Sequence, residues 1–241
     1  MTLLEICVDS AAGIAAAIEG GADRIELCGT LELGGLTPSP GLMALAANIG
    51  RPVRAMIRPR AGDFVFDPED LDTMRGDIAT ARHHGLEGVV LGASLPDGRL
   101  DLGLLARLAE AAEGMKRTLH RAFDLVPDID EAVEQAIALG FDTILTSGRA
   151  GAAPDGLADL QRVYRAAAGR IVIMAGAGIN SSNVRDLLGT APLGAIHGSC
   201  SVPAPLDSAA AQNLGFMSPA RRRTDAAKVA ALKAAIDNIF D

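Results

Sequence analysis

Gly20-Gly21-Ala22-Asp23-Arg24-Ile25-Glu26-Leu27-Cys28 carries the chain from the end of a helical pattern into a strand. The alanine-rich run 10–20 before it has helical period, and 24–28 alternates polar with apolar residues. The same joint returns twice. Gly85-Leu86-Glu87 precedes Gly88-Val89-Val90-Leu91, and Gly140-Phe141-Asp142 precedes Thr143-Ile144-Leu145. In each case a helix stops at glycine, which tolerates the left-handed conformation of a helix end, and a strand follows. One joint used three times predicts a repeated architecture.

Outward from these joints, strands are expected near 3–9, 24–28, 53–59, 88–93, 117–123, 143–147, 171–175 and 194–198. Helical stretches such as 10–20, 68–84, 101–113 and 128–139 separate them, and a final helix is expected over about 224–239, capped by Thr224. Alternating strands and helices imply parallel βα units. Eight of them in 241 residues predict a single (β/α)₈ barrel of the TIM type spanning 1–241. The stretch 199–223 becomes an irregular loop after the last barrel strand. An open doubly wound sheet is the other arrangement to weigh, but the chain has no early Gly-x-Gly-x-x-Gly fingerprint.

Hydrophobic residues make up 49% of the chain and aromatics only 3%, with no Trp, so the core must be aliphatic. The net charge of −8 argues against nucleic acid or an anionic membrane as partner. The one basic run, Arg221-Arg222-Arg223, reads as a solvated loop. No signal peptide and no membrane-spanning run is apparent, and three cysteines, Cys7, Cys28 and Cys200, suit reduced thiols in a cytoplasmic protein. A homo-oligomer, most simply a dimer, is expected.

Strand alternation sorts the side chains. Leu4, Ile6 and Val8 share one face of the first strand, and Glu5, Cys7 and Asp9 the other. Ile25 and Leu27 oppose Arg24, Glu26 and Cys28. With the apolar faces on the helices, the lumen receives Glu5, Arg24, Glu26, Met56, Arg58, Thr118, His120, Met174 and His197. Charges inside a barrel are costly unless paired. They predict either an ion network that only props the barrel open or a polar pocket. In a pocket, Glu5, Glu26, His120 and His197 would do acid–base work beside Arg58. Arg58 and Arg60 would clamp a small anion, unless they are spent on Glu26 or Asp63. Gly176, Gly178 and Ser181, after the seventh strand, would cradle the anion with backbone N–H groups.

Several stretches carry a resemblance: Glu5-Ile6-Cys7-Val8-Asp9-Ser10, the opening 20–28 segment, Gly34-Gly35-Leu36-Thr37-Pro38, Met56-Ile57-Arg58-Pro59-Arg60 with Gly62-Asp63-Phe64, His120-Arg121-Ala122-Phe123-Asp124, Ile144-Leu145-Thr146-Ser147-Gly148, and Arg221-x-x-Thr224-Asp225. Together, over residues 5 to about 229, they resemble the copper homeostasis protein CutC family. The resemblance implies a cytoplasmic (β/α)₈ barrel linked to copper handling. This chain has Ala175-Gly176-Ala177-Gly178 where that family usually has Pro-Gly-Gly-Gly, and Cys200 where it usually has a small residue. Copper(I) prefers thiolate and thioether sulfur. Cys7 and Cys28, near the carboxyl ends of neighbouring strands with the same inward parity, are therefore the expected Cu(I) ligands. Two functional classes stand: a protein binding Cu(I) through Cys7 and Cys28, and a barrel enzyme acting on a small phosphorylated or carboxylated metabolite.

Overall fold

A computed structural model describes residues 2–239; Met1, Phe240 and Asp241, the ends of the expected 1–241 domain, lie outside the described residues. Eight parallel strands close into a barrel in sequence order. They are β1 (Leu3–Val8), β2 (Arg24–Leu27), β3 (Val53–Met56), β4 (Gly88–Leu91), β5 (Lys116–Leu119), β6 (Thr143–Thr146), β7 (Val172–Ala175) and β8 (Ala195–Gly198). The helices between them are α1 (Ala11–Glu19), α2 (Pro40–Ala46), α3 (Pro68–His83), α4 (Leu102–Ala111), α5 (Ile129–Ala138), α6 (Leu157–Ala167) and α7 (Val184–Thr190). After β8 come β9 (Ser201–Pro203), α8 (Ala209–Asn213), β10 (Arg222–Thr224) and α9 (Ala226–Asp237).

The repeated joint works as its sequence suggests. Gly21, Gly85 and Gly140 all have φ between 73° and 87°. The acid that follows each ties the joint to the preceding strand. Asp23 accepts Leu4 N–H at 2.8 Å, and Asp142 accepts Arg117 N–H at 2.6 Å. Glu87 pairs with Arg54 of β3 at 3.4 Å. Buried aliphatics from the outward strand faces, among them Leu4, Ile6, Ile25, Leu27, Val89 and Ile196, meet helix residues such as Leu71, Leu105 and Val133 in one continuous core.

Two expectations about the end of the chain change. The segment 199–223 is not uniformly irregular: β9 and β10 pair antiparallel, Ser201 opposite Thr224. Thr224 belongs to that pairing, so it does not cap the last helix. Asp225 does, accepting Lys228 N–H at 3.0 Å. Among the described residues no helix is long and apolar enough to cross a membrane.

Candidate functional site

β1 lies between β2 and β8, and register sets Glu5 beside both Arg24 and His197. Glu5 is fully buried. Its carboxylate accepts Arg24 Nε–H at 2.5 Å and faces His197 Nδ1 at 2.9 Å. Arg24 also reaches Met174 Sδ at 3.4 Å. Burial alone would raise the Glu5 pKa, but Arg24 and His197 outweigh it and bring it to about 2. An ionised carboxylate only accepts, so His197 Nδ1 carries a hydrogen and Nε2 points to the other side of the ring.

There, His197 Nε2 lies 3.7 Å from Glu26 Oε2. One ligand atom each from Cys7, Glu26 and His197 falls within 4.8 Å of the other two. Cys7 Sγ lies 3.7 Å from Gly198 O, and Glu26 Oε1 is buried without a partner. Cys28 stands beside this group, its thiol donating to Glu26 Oε2 at 3.4 Å. Met56 and Val90 pack on Cys28, and Gly35 closes over it: a Cβ there would lie 3.1 Å from Cys28 Sγ. Burial, with Glu26 adding to it, pushes the Cys28 thiol up. Burial also raises Glu26 against the opposing pull of His197. For His197, burial disfavours charge, but Glu26, Cys7 and Glu5 prevail and hold its pKa well above the usual histidine range.

The donor set is a thiol, an imidazole and a carboxylate with an idle oxygen, supported by a second carboxylate on the imidazole. That chemistry fits a soft cation. A ligating histidine ordinarily has its other nitrogen held by a carboxylate in this way, and a sulfur ligand favours Cu(I). Cys7 and the His197 side chain retain 7% and 12% of their surfaces, whereas Glu5 and Cys28 retain none. Cys200 packs on the core beyond β8, and burial pushes its thiol up to about 11.

The remaining expected residues make no hydrogen bond or ion pair with Cys7, Glu26 or His197. Arg58 is beyond the end of β3 and makes no ion pair with Glu26. Its guanidinium donates to the carbonyls of Leu33, Gly35 and Gly62 at 2.9, 3.2 and 2.7 Å. Arg60 pairs with Asp63, as one reading allowed, and also with Asp70. His120 caps the short 3₁₀ turn Arg121–Leu125 through Nδ1, which accepts Ala122 N–H at 3.1 Å. Burial first, then the Arg58 charge, lower its pKa to about 3. Gly176 N–H is bonded to Thr146 O. Gly178 has φ 72°, and Ser181 is exposed in a turn held by Asn180, Ser182 and Asn183.

Two residues were not singled out from the sequence. Arg54 shares the inward parity of Met56 and Arg58, a signal that was there to read. It bonds Thr118 Oγ1 and Asp142 Oδ1, each at 2.7 Å, and fills the amino-terminal part of the lumen. Asp124 organises the rim, accepting from Thr146 Oγ1 at 2.5 Å and from Ser147 N–H at 3.1 Å while pairing with Arg121. Its role depends on a loop contact that no local pattern encodes.

Fold and site together define the class: a (β/α)₈ barrel with a buried thiol–carboxylate–imidazole cluster in its lumen. The CutC family model matches residues 2–202, and the chain belongs to the CutC family. A CutC family protein of Rhizobium meliloti (strain 1021) is 56% identical over 234 residues, 97% of this chain and 96% of that one. One from Caulobacter vibrioides (strain NA1000 / CB15N) is 52% identical over 230 residues, 95% and 94% of the two chains. A crystal structure from Streptococcus agalactiae, whose description couples CutC with copper homeostasis, superposes with TM-score 0.79 at 30% identity, covering 83% of this chain and 99% of that one. More distant barrels, such as KGPDC from Streptococcus mutans at TM-score 0.63 and 12% identity, share the fold alone.

Proposed function

We propose that this protein handles copper in the cytoplasm by holding Cu(I) as cargo near the carboxyl ends of β1, β2 and β8. The observation that carries the reading is the convergence of Cys7, Glu26 and His197 within 4.8 Å, with Glu5 bonded to the far nitrogen of the imidazole. Cys7 supplies the first soft ligand and His197 Nε2 the second. Cys28, on the neighbouring strand beside Glu26, supplies a second thiol, and the spare Glu26 oxygen adds negative charge. Binding displaces protons from the thiol and from His197, so affinity rises with pH. Free thiols of this kind persist in a reducing compartment. Membership of a family with a relative named for copper homeostasis supports the same reading.

The acid–base alternative draws less support. His120 is buried neutral with Nδ1 engaged, and Arg58 is largely spent on carbonyls. The test is anaerobic Cu(I) titration against a chromophoric competitor. One equivalent should bind, with affinity falling at least about tenfold in Cys7→Ser and measurably in Cys28→Ser. Wild-type affinity in both variants overturns the assignment.

A further inference from the structure

Two hydrogen-bond donors at the carboxyl-end rim are buried and unused: Arg58 Nε and His120 Nε2. The second is a donor by its tautomer. Ala122 N–H donates to His120 Nδ1, so the neutral ring carries its hydrogen on Nε2. Arg58 is held rigidly, with three carbonyls fixing its Nη groups and Nε left over. Both residues stand against one ring. Phe64 lies 4.7 Å from the His120 ring and 5.0 Å from the Arg58 guanidinium carbon. Gly92 makes the histidine's position possible, since a Cβ there would come within 2.6 Å of the imidazole. Gly35, whose carbonyl holds Arg58, also covers Cys28, so this rim adjoins the metal cluster.

A buried donor without an acceptor costs about 1–3 kcal/mol. Two of them against one aromatic wall point to an acceptor from outside the chain. We propose that Arg58 and His120 bind the carboxylate of a small organic acid at the barrel rim, beside Phe64. One fixed positive charge and one neutral donor balance a single negative charge. A phosphate dianion would leave a charge unpaired in a dry site, which is costly. Asp124, whose negative charge is felt at His120, further disfavours a second negative charge. Neither Arg58 nor His120 is a ligand in the copper reading, and the site borders that cluster only through Gly35 and Cys28.

The experiment follows the imidazole Nε2–H resonance of His120 in the ¹⁵N-labelled full chain, assigned by its loss in His120→Gln. Sodium acetate, succinate and inorganic phosphate are titrated separately at constant ionic strength, with melting temperature recorded in parallel. Acetate and succinate should shift the resonance saturably and raise the melting temperature. Arg58→Lys should weaken both effects about tenfold, because a point charge replaces the fixed guanidinium, while Cys7→Ser should bind as wild type. A resonance that no carboxylate moves, tighter binding of phosphate than of either carboxylate, or unchanged binding in a folded Arg58→Lys overturns the proposal.

Discussion

Glu5 is the side chain on which the buried charges depend. It is the shared partner of Arg24 and His197, and neither cation is more than slightly exposed. Glu5→Gln keeps the shape and removes the charge, leaving Arg24 buried without its counter-ion. Loss of one partner from such a pair costs about 3–5 kcal/mol, and urea unfolding of the variant should show it. A change below 1 kcal/mol would mean that the pair is dispensable. His120 sets a different dependence. Unfolded, it takes up a proton near pH 6.5; folded, it does so only near about 3. Its folded pKa is depressed, so between these values the unfolded chain binds more protons. Stability therefore falls as pH drops through that window, by up to about 5 kcal/mol for this group. His120→Asn keeps an acceptor for Ala122 N–H and does not titrate. The difference in unfolding free energy between wild type and His120→Asn should shrink with acidification from pH 7 to 4, and a pH-independent difference would show that His120 is not held neutral.

The βα joints are where sequence and structure correspond most directly. Gly85 has φ 75°, and a Cβ there would meet nothing within 4 Å. Gly85→Ala therefore isolates backbone strain, with an expected cost of about 1–2 kcal/mol by chemical denaturation. Gly140→Ala adds a contact, a Cβ at 2.6 Å from Arg117 Nη2, and the guanidinium can only yield by leaving Ala109 O, to which it donates at 3.0 Å, so this variant should cost more than Gly85→Ala. Equal wild-type stability in both would deny the joint its role. These joints were legible because glycine at a helix end and period-2 alternation in a strand are local signals. The inward parity of Glu5, Arg24, Glu26 and Cys28 was legible for the same reason. Height along the barrel was not. Parity puts Cys7 and Cys28 on one wall, but strand register brings Cys7 opposite Glu26 and leaves Cys28 one step beyond. The three ligand atoms that fall within 4.8 Å of one another are therefore those of Cys7, Glu26 and His197, and the Cys28 thiol joins them through its bond to Glu26. The partners of Arg58 were hidden too, because they are loop carbonyls: two lie where the chain turns through Gly34 and Gly35, both at φ 85°, and the third is that of Gly62, at φ 99°.

The molecule as a whole divides into a barrel closed by the β1–β8 pairing and an excursion that leaves and rejoins it after β8. The stem of the excursion is well tied. Arg222 donates to Ser201 Oγ and O, each at 2.8 Å, and Asp225 N–H to Cys200 O at 3.0 Å. Beyond the stem, α8 has no buried residue, and Leu206, Leu214 and Phe216 are exposed, Phe216 by 83%. A segment that buries almost nothing contributes little to global stability and opens at low cost. Limited chymotrypsin digestion of the native protein should therefore cut first after Leu214 or Phe216. The two fragments should stay associated through β9, β10 and α9, since α1 and α9 meet at Gly20, where a Cβ would fall 2.4 Å from Val229. Replacing 206–218 with a short Gly-Ser linker should leave the melting temperature within a few degrees of wild type. It should also leave Cu(I) affinity unchanged, because none of Cys7, Glu26 or His197 lies in the excursion. Initial cleavage inside the barrel, or collapse of the melting transition on deletion, would show that the excursion is part of the cooperative unit.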